Sequence, residues 1–239
     1  MGETKHLGDV APVELRSFGR RRGRTLSPRQ QSLMHELLPQ LQLDLSAPPA
    51  APLSELFGTA TGIREVWLEI GFGGSEHMIW QARNNPAVGI IGCEPFEDGV
   101  VKALTAIEEH NLKNVRLHAD DARDVLRWLP PASLERTFIL FPDPWPKRRH
   151  HKRRLVSPAL FAELARVMAP GAELRIGTDI GDYARSTLIA LQSSPDFSWS
   201  AKTPADWRLR PADWPGTRYE AKALREGRRC YFFRFARNP

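Results

Sequence analysis

From residue 65 onward the chain repeats one unit five times: a short apolar run, then a segment with helical spacing of its apolar residues. The runs fall at residues 66–70, 88–93, 115–118, 136–141 and 172–176. The helical segments run to about residue 83 and then over 96–109, 122–128, 158–167 and 180–191. Short runs that are apolar on both sides suit strands covered on both faces, and the intervening segments are long enough to cross over as helices. The pattern predicts an α/β fold: a doubly wound, mostly parallel sheet with helices on both faces, Rossmann-like in architecture. A last apolar run at 228–235 predicts a strand that pairs antiparallel at an edge.

The first 27 residues lack this pattern and read as a basic, mobile arm, leaving 28–239 as one domain. Ser27-Pro28 reads as an N-cap followed by proline at the first helical position, opening a helix to about Leu38. The proline-rich stretch 46–52 reads as a surface loop.

Unusual polar residues collect where the strands end. Glu69 and the turn Gly71-Phe72-Gly73-Gly74 close the first strand, and Glu94 closes the second. Asp120 and Asp121 follow the third, Asp143 the fourth, and Thr178 and Asp179 the fifth. Ligands of doubly wound sheets bind beyond these ends, and an acid at Glu94 suits ribose hydroxyls. A dinucleotide fingerprint would need a small residue at position 76, where Glu76 stands. A carboxylate at a helix start opposes a pyrophosphate. Acids around a glycine turn suit a cationic cofactor without phosphates, which describes S-adenosylmethionine. Asp121 also fits a helix N-cap.

The segment 141–154, Phe-Pro-Asp-Pro-Trp-Pro-Lys-Arg-Arg-His-His-Lys-Arg-Arg, joins Asp143 to an aromatic ring and a run of cations. Residues 147–154 carry six Lys/Arg and no acid, and residues 16–29 carry six more, against a formal net charge of +6 for the whole chain. The rest therefore sums to −6, so the basicity is placed rather than diffuse. Pro142 and Pro144 restrict the backbone on both sides of Asp143. Trp145 offers a face to a base, worth about 1–3 kcal/mol. Cations beside such a corner suit phosphate contact, with an affinity that falls with salt. His150 and His151 are too isolated from other ligand types to argue for a metal. Without a membrane-spanning run or signal peptide, with no C-x-x-C formed by Cys93 and Cys230, and with Cys93 reading as a reduced core residue, a cytoplasmic address is expected and no membrane role.

Taken together, these motifs resemble the tRNA (guanine-N7-)-methyltransferase family. The match is carried by residues 16–24, 68–74, 92–94, Asp121-Ala122, 141–145 with 147–154, Thr178-Asp179 and 217–220. The resemblance implies S-adenosylmethionine held by Glu69, Gly71, Gly73, Glu94, Asp121 and Asp143, with Asp143 also catalytic. It implies substrate contacts from Lys147, Asp179, Thr217, Arg218, Tyr219 and Glu220, and RNA contacts from Arg149, His150, His151, Lys152, Arg153 and Arg154. Residues about 60–145 would form the cofactor half and about 146–239 the RNA and substrate elements. The substrate would be a variable-loop guanosine of tRNA; the sequence itself points to no metal and shows no requirement for a protein partner.

Guanine N7 carries a lone pair and no proton, so alignment rather than a general base should dominate, with Asp143 or Asp179 stabilising the charge that reaches the purine. Two other readings compete. A non-catalytic RNA-binding protein on the same sheet has no use for acids at four strand ends. A nicotinamide-dependent dehydrogenase is disfavoured by Glu76 and by the basic runs.

Overall fold

The computed structural model describes Gly19, residues 21–58 and residues 62–239. A seven-stranded sheet runs in the order β3-β2-β1-β4-β5-β7-β6. Its strands are β1 (Glu65–Ile70), β2 (Val88–Cys93), β3 (Val115–His118), β4 (Leu134–Leu140), β5 (Met168–Thr178), β6 (Phe197–Trp199) and β7 (Tyr231–Arg237). The first five are parallel, whereas β7 is antiparallel to both β5 and β6.

The runs expected to be buried on both faces are so: all six residues of β2 and all of β1 except Glu65 are buried. Alternation then divides the side chains between two cores. Val66, Leu68 and Ile70 of β1 face one layer with α5 (Ala122–Trp128), α6 (Pro158–Val167) and α7 (Gly181–Gln192). Trp67 faces the opposite layer, with α3 (Glu76–Asn84), α4 (Glu97–Glu109) and Ala223 of α9 (Arg218–Arg225). Helices thus cover both faces, as the alternation of the sequence predicts.

Local chemistry sets the helix starts. Ser27 caps α1 (Pro28–Ser32) in a reciprocal capping box with Gln30, and Ser157 caps α6 ahead of Pro158. The first helix does not stop near Leu38. It widens into a π turn (Leu33–Leu37) and continues as α2 (Leu38–Leu41). Pro39 has no N–H and its ring crowds the preceding turn, and the wider i→i+5 winding accommodates it while Leu33, Leu38 and Leu41 stay buried.

The expected edge position of the last strand is corrected. β7 lies inside the sheet, and the edge is β6, three residues too short to stand out in the sequence. The short helix α8 (Ala205–Arg208) was not anticipated either. Residues 1–18 and 20 of the expected arm lie outside the described residues. Its remainder is docked: the Arg21 carbonyl accepts the Glu97 N–H at 2.9 Å, and the Arg21 guanidinium pairs with Asp120. Among the described residues, no helix is long and apolar enough to cross a membrane.

Candidate active site

The strand order reverses between β1 and β4, and a cavity of about 310 Å³ opens beyond the carboxyl ends there. Its walls take Ile70 and Gly71 after β1, residues 93–96 after β2, 120–123 after β3 and 140–143 after β4. Gly73, Trp145, Arg153, Leu155, Tyr219 and Gly19 complete it. A reversal of winding sends the two neighbouring crossovers to opposite faces and leaves such a crevice between them.

The glycine turn is built around Glu94. Gly71 and Gly73 take φ of +73° and +54°. The Gly73 N–H donates to Glu94 Oε2 at 2.8 Å, and the Phe96 N–H donates to Oε1 at 2.9 Å. Gly99 of α4 approaches so closely that a Cβ there would lie 2.4 Å from the Gly73 carbonyl oxygen. Burial holds the Glu94 carboxyl above the ordinary carboxylate range, against the pull of the two amides, with Asp143 and Glu69 pushing the same way. The Gly73 amide, which a pyrophosphate would need, is already engaged. Glu76 at the start of α3 is paired with Arg218. The turn is therefore not an anion cradle, which removes the physical basis of a dinucleotide reading.

Asp121 caps α5, accepting the Arg123 N–H at 3.0 Å, and its other oxygen accepts from Arg123 Nη1 at 2.7 Å. Its capping role and its place on the cavity wall coexist. Asp120 accepts both Arg21 terminal nitrogens, at 2.6 and 3.2 Å, which holds its carboxyl below the ordinary range.

Asp143 stands exposed at the cavity rim, in a corner bent more sharply than its prolines alone require. Phe141 and Trp145 have φ of +50° and +42°, left-handed values uncommon outside glycine. Phe141 is fixed in that pose by its N–H, which donates to the Gly177 carbonyl at 2.7 Å, with its ring packed beside Gly177. Trp145 lines the cavity, with Arg153 over its ring at 5.0 Å and the His150 ring edge-on at 6.0 Å.

α9 carries the segment 217–220 to the cavity. Thr217 caps the helix, accepting the Glu220 N–H at 3.2 Å. Tyr219 lies across Gly73, where a Cβ would meet its hydroxyl at 2.9 Å, and burial followed by the nearby Glu94 charge raises its hydroxyl pKa. Of these four residues Tyr219 lines the wall, while Arg218 holds Glu76 and Glu220 accepts Arg210 Nε at 3.1 Å. The partner of Glu220 is thus Arg210, on the stretch that precedes α9. Asp179 is off the cavity wall and accepts Arg228 Nε at 2.7 Å.

The basic run forms a 3-10 helix (Arg148–Arg153), with Lys147, Arg149 and Lys152 exposed and His150 and His151 half-buried. Arg154 departs from its expected RNA-facing place. It is 8% exposed, with its guanidinium on Pro144, Ser186 and Asp182. A polyanion cannot reach a group so enclosed. Glu69 also departs from the cavity wall. By the period of a strand it shares the face of Trp67, and its Oε2 lies 2.6 Å from His77 Nδ1 of α3, with both side chains buried. His77 continues to Gln81, whose amide donates to the Asp213 carbonyl at 2.9 Å. The sequence offers one signal for this pair: a polar residue at i+8 from Glu69, on the helix that follows the glycine turn. Among the described residues no group of three His, Cys, Asp or Glu could hold a metal ion.

The cavity and its acids agree with what the chain is similar to. A family model described as "Putative methyltransferase" matches residues 64–233. A tRNA (guanine-N(7)-)-methyltransferase of Chelativorans sp. (strain BNC1) is 48% identical over 220 residues, covering 92% of this chain and 94% of that protein. Another, from Rhodopseudomonas palustris (strain BisB18), is 50% identical over 228 residues, 95% of this chain and 90% of that one. A solved antibiotic-related methyltransferase superposes with a TM-score of 0.53 at 18% identity, over 82% of this chain and 95% of that chain, which bears on the fold alone. With near-half identity along nearly the full length of such relatives, the chain belongs to the tRNA (guanine-N(7)-)-methyltransferase family.

Proposed function

We propose that the chain transfers a methyl group from S-adenosylmethionine to N7 of a variable-loop guanosine in tRNA, forming 7-methylguanosine. The observation that carries this reading is the junction at Asp143. A cavity walled by Glu94, Asp120, Asp121 and Asp143 opens there directly beside the exposed cations Lys147, Arg149 and Lys152. One side suits a small cation and the other a polyanion.

The residues present fit S-adenosylmethionine. The cavity volume lies at the lower end of the usual range for small-ligand sites, about 300–1,000 Å³. Four acids against Arg123 and Arg153 leave the lining net negative, and Gly73 gives a close backbone approach. Glu94 would hold the ribose hydroxyls, Asp121 and the 120–123 segment the base, and Gly71 and Gly73 the amino-acid portion. Glu69 would act one step removed, by fixing the strand end through His77. When bound, the cofactor supplies an electrophilic methyl on a positively charged sulfur.

The chain's own residues then have three tasks. Trp145 and Tyr219 both line the cavity, and their ring surface suits a flat purine. Asp143 places a fixed carboxylate where positive charge builds on the purine as its N7 lone pair is used. The exposed cations of 147–152 hold the phosphates that flank the nucleotide. Asp179, tied to Arg228, supports this site from a neighbouring ion pair. A cytoplasmic location goes with the same reading, and both cysteines are free and buried.

The test is incubation with an unmodified tRNA transcript and methyl-labelled S-adenosylmethionine, followed by nucleoside analysis. Label in 7-methylguanosine is expected. Its absence overturns the proposal.

A further inference from the structure

Arg154 closes a run of cations and points the other way. Its Nε donates to the Pro144 carbonyl at 3.0 Å, the peptide that joins Pro144 to Trp145. Nη1 donates to Ser186 Oγ at 3.2 Å, while Nη2 donates to Asp182 Oδ2 at 2.6 Å and lies 3.1 Å from His151 Nε2. The guanidinium also lies over the ring of Tyr183, 4.9 Å from its centroid. Tyr183 is fully buried, its hydroxyl accepts the Val156 N–H at 3.1 Å, and burial pushes its pKa up to about 12.

We infer that Arg154 is a positioning residue for methyl transfer: it fastens the 143–145 corner to α7 and takes no part in gripping RNA. This rests on the methyltransferase reading of the site. Two left-handed residues bound the corner, and such conformations persist only where the surroundings over-determine them. The Gly177 carbonyl pins the Phe141 end, and the Arg154 fork pins the Trp145 end. Three contacts in divergent directions need a planar fork. A lysine ammonium on a flexible stem cannot reproduce them together. Arg153, one residue earlier, lines the cavity beside Trp145, so adjacent cations serve opposite sides of the same loop.

The test compares Arg154→Lys with the parent protein. Stoichiometric S-adenosylmethionine binding should be retained, along with a tRNA Kd within about twofold and the parent slope of log Kd on log salt. Single-turnover methyl transfer should slow by about 10²-fold, the scale on which a misplaced reacting group acts. Amide hydrogen exchange at residues 141–147, read without tRNA, should speed up. As a reference for a phosphate contact, Lys152→Ala should flatten the salt slope by about 0.7–0.9. Should Arg154→Lys fail to fold, Asp182→Asn keeps the fork on Pro144 and Ser186 but weakens its anchor on α7, and should give a smaller exchange change in the same direction with a smaller loss of rate, about tenfold. Parent-like turnover, parent-like exchange, or a flattened salt slope in Arg154→Lys would each overturn the inference. A parent protein that forms no 7-methylguanosine sinks the functional reading instead, and the exchange measurement still decides whether Arg154 holds the corner.

Discussion

Glu94→Gln probes the cavity most directly, because each carboxylate oxygen already serves one backbone amide. Gly73 N–H and Phe96 N–H sit 2.8 and 2.9 Å from Oε2 and Oε1. Glutamine offers one acceptor and one donor end, so one amide must face an NH₂ group. Leaving that amide unsatisfied at a residue 8% exposed costs about 1–3 kcal/mol. In the free protein this is offset, because the substitution also removes a charge that burial disfavours. The melting temperature should therefore move by less than about 4 °C. In the cofactor complex the offset is absent, since a bound cation favours the ionised carboxylate. The Kd for S-adenosylmethionine, read by titration calorimetry, should weaken about 5- to 100-fold. The pH dependence follows from the same shift. Glu94 sits above its ordinary 4.5 when folded, so its contribution to stability is full below 4.5 and is lost as pH rises through the folded value. Cofactor affinity should run the opposite way, rising over that window as the carboxylate ionises, and should be flat in Glu94→Gln. A variant with the parent Kd, or with the parent pH profile, would refute the reasoning.

Asp143→Ala should collapse turnover by about 10²-fold or more while tRNA binding, measured by filter retention, stays close to the parent value; near-normal turnover would remove Asp143 from the chemistry. His77→Ala leaves the buried Glu69 side chain without its hydrogen-bond partner, and calorimetric unfolding should show a loss of about 1–3 kcal/mol. Gly73→Ala forces a left-handed alanine and displaces the half-exposed Tyr219 ring, so stability should fall by only about 1–2 kcal/mol. Cofactor Kd, read by calorimetry, should weaken about tenfold or more in that variant.

Much of the fold was legible because β1, β2 and the Phe138–Leu140 end of β4 are buried on both faces, and because α5 and α6 carry their own caps in Asp121 and Ser157. The cavity was legible for a related reason. An acid that ends an apolar strand has little use except beyond the sheet, and Glu94, Asp121 and Asp143 all line the cavity. Glu69 shows the limit of that argument. It stands one residue before the end of its strand, and period-two alternation turns it under α3 toward His77. Arg154 shows another. Eight consecutive basic residues look alike in sequence, and which one turns inward depends on where α7 places Ser186 and Asp182. The short β6 has no internal signature, since its pairing is set by β7, about thirty residues later.

The insertion of β7 between β5 and β6 orders events during synthesis. β6 leaves the ribosome before β7 and has no partner of its own until β7 pairs with β5. The parallel half around the cavity can assemble while β5 is still an open, hydrogen-bonding edge. Such an edge can capture another chain during the seconds that translation needs to supply residues 197–237, at roughly 5–20 residues per second. Slow elongation over that stretch should therefore lower the yield of folded protein more than the same delay placed before β1.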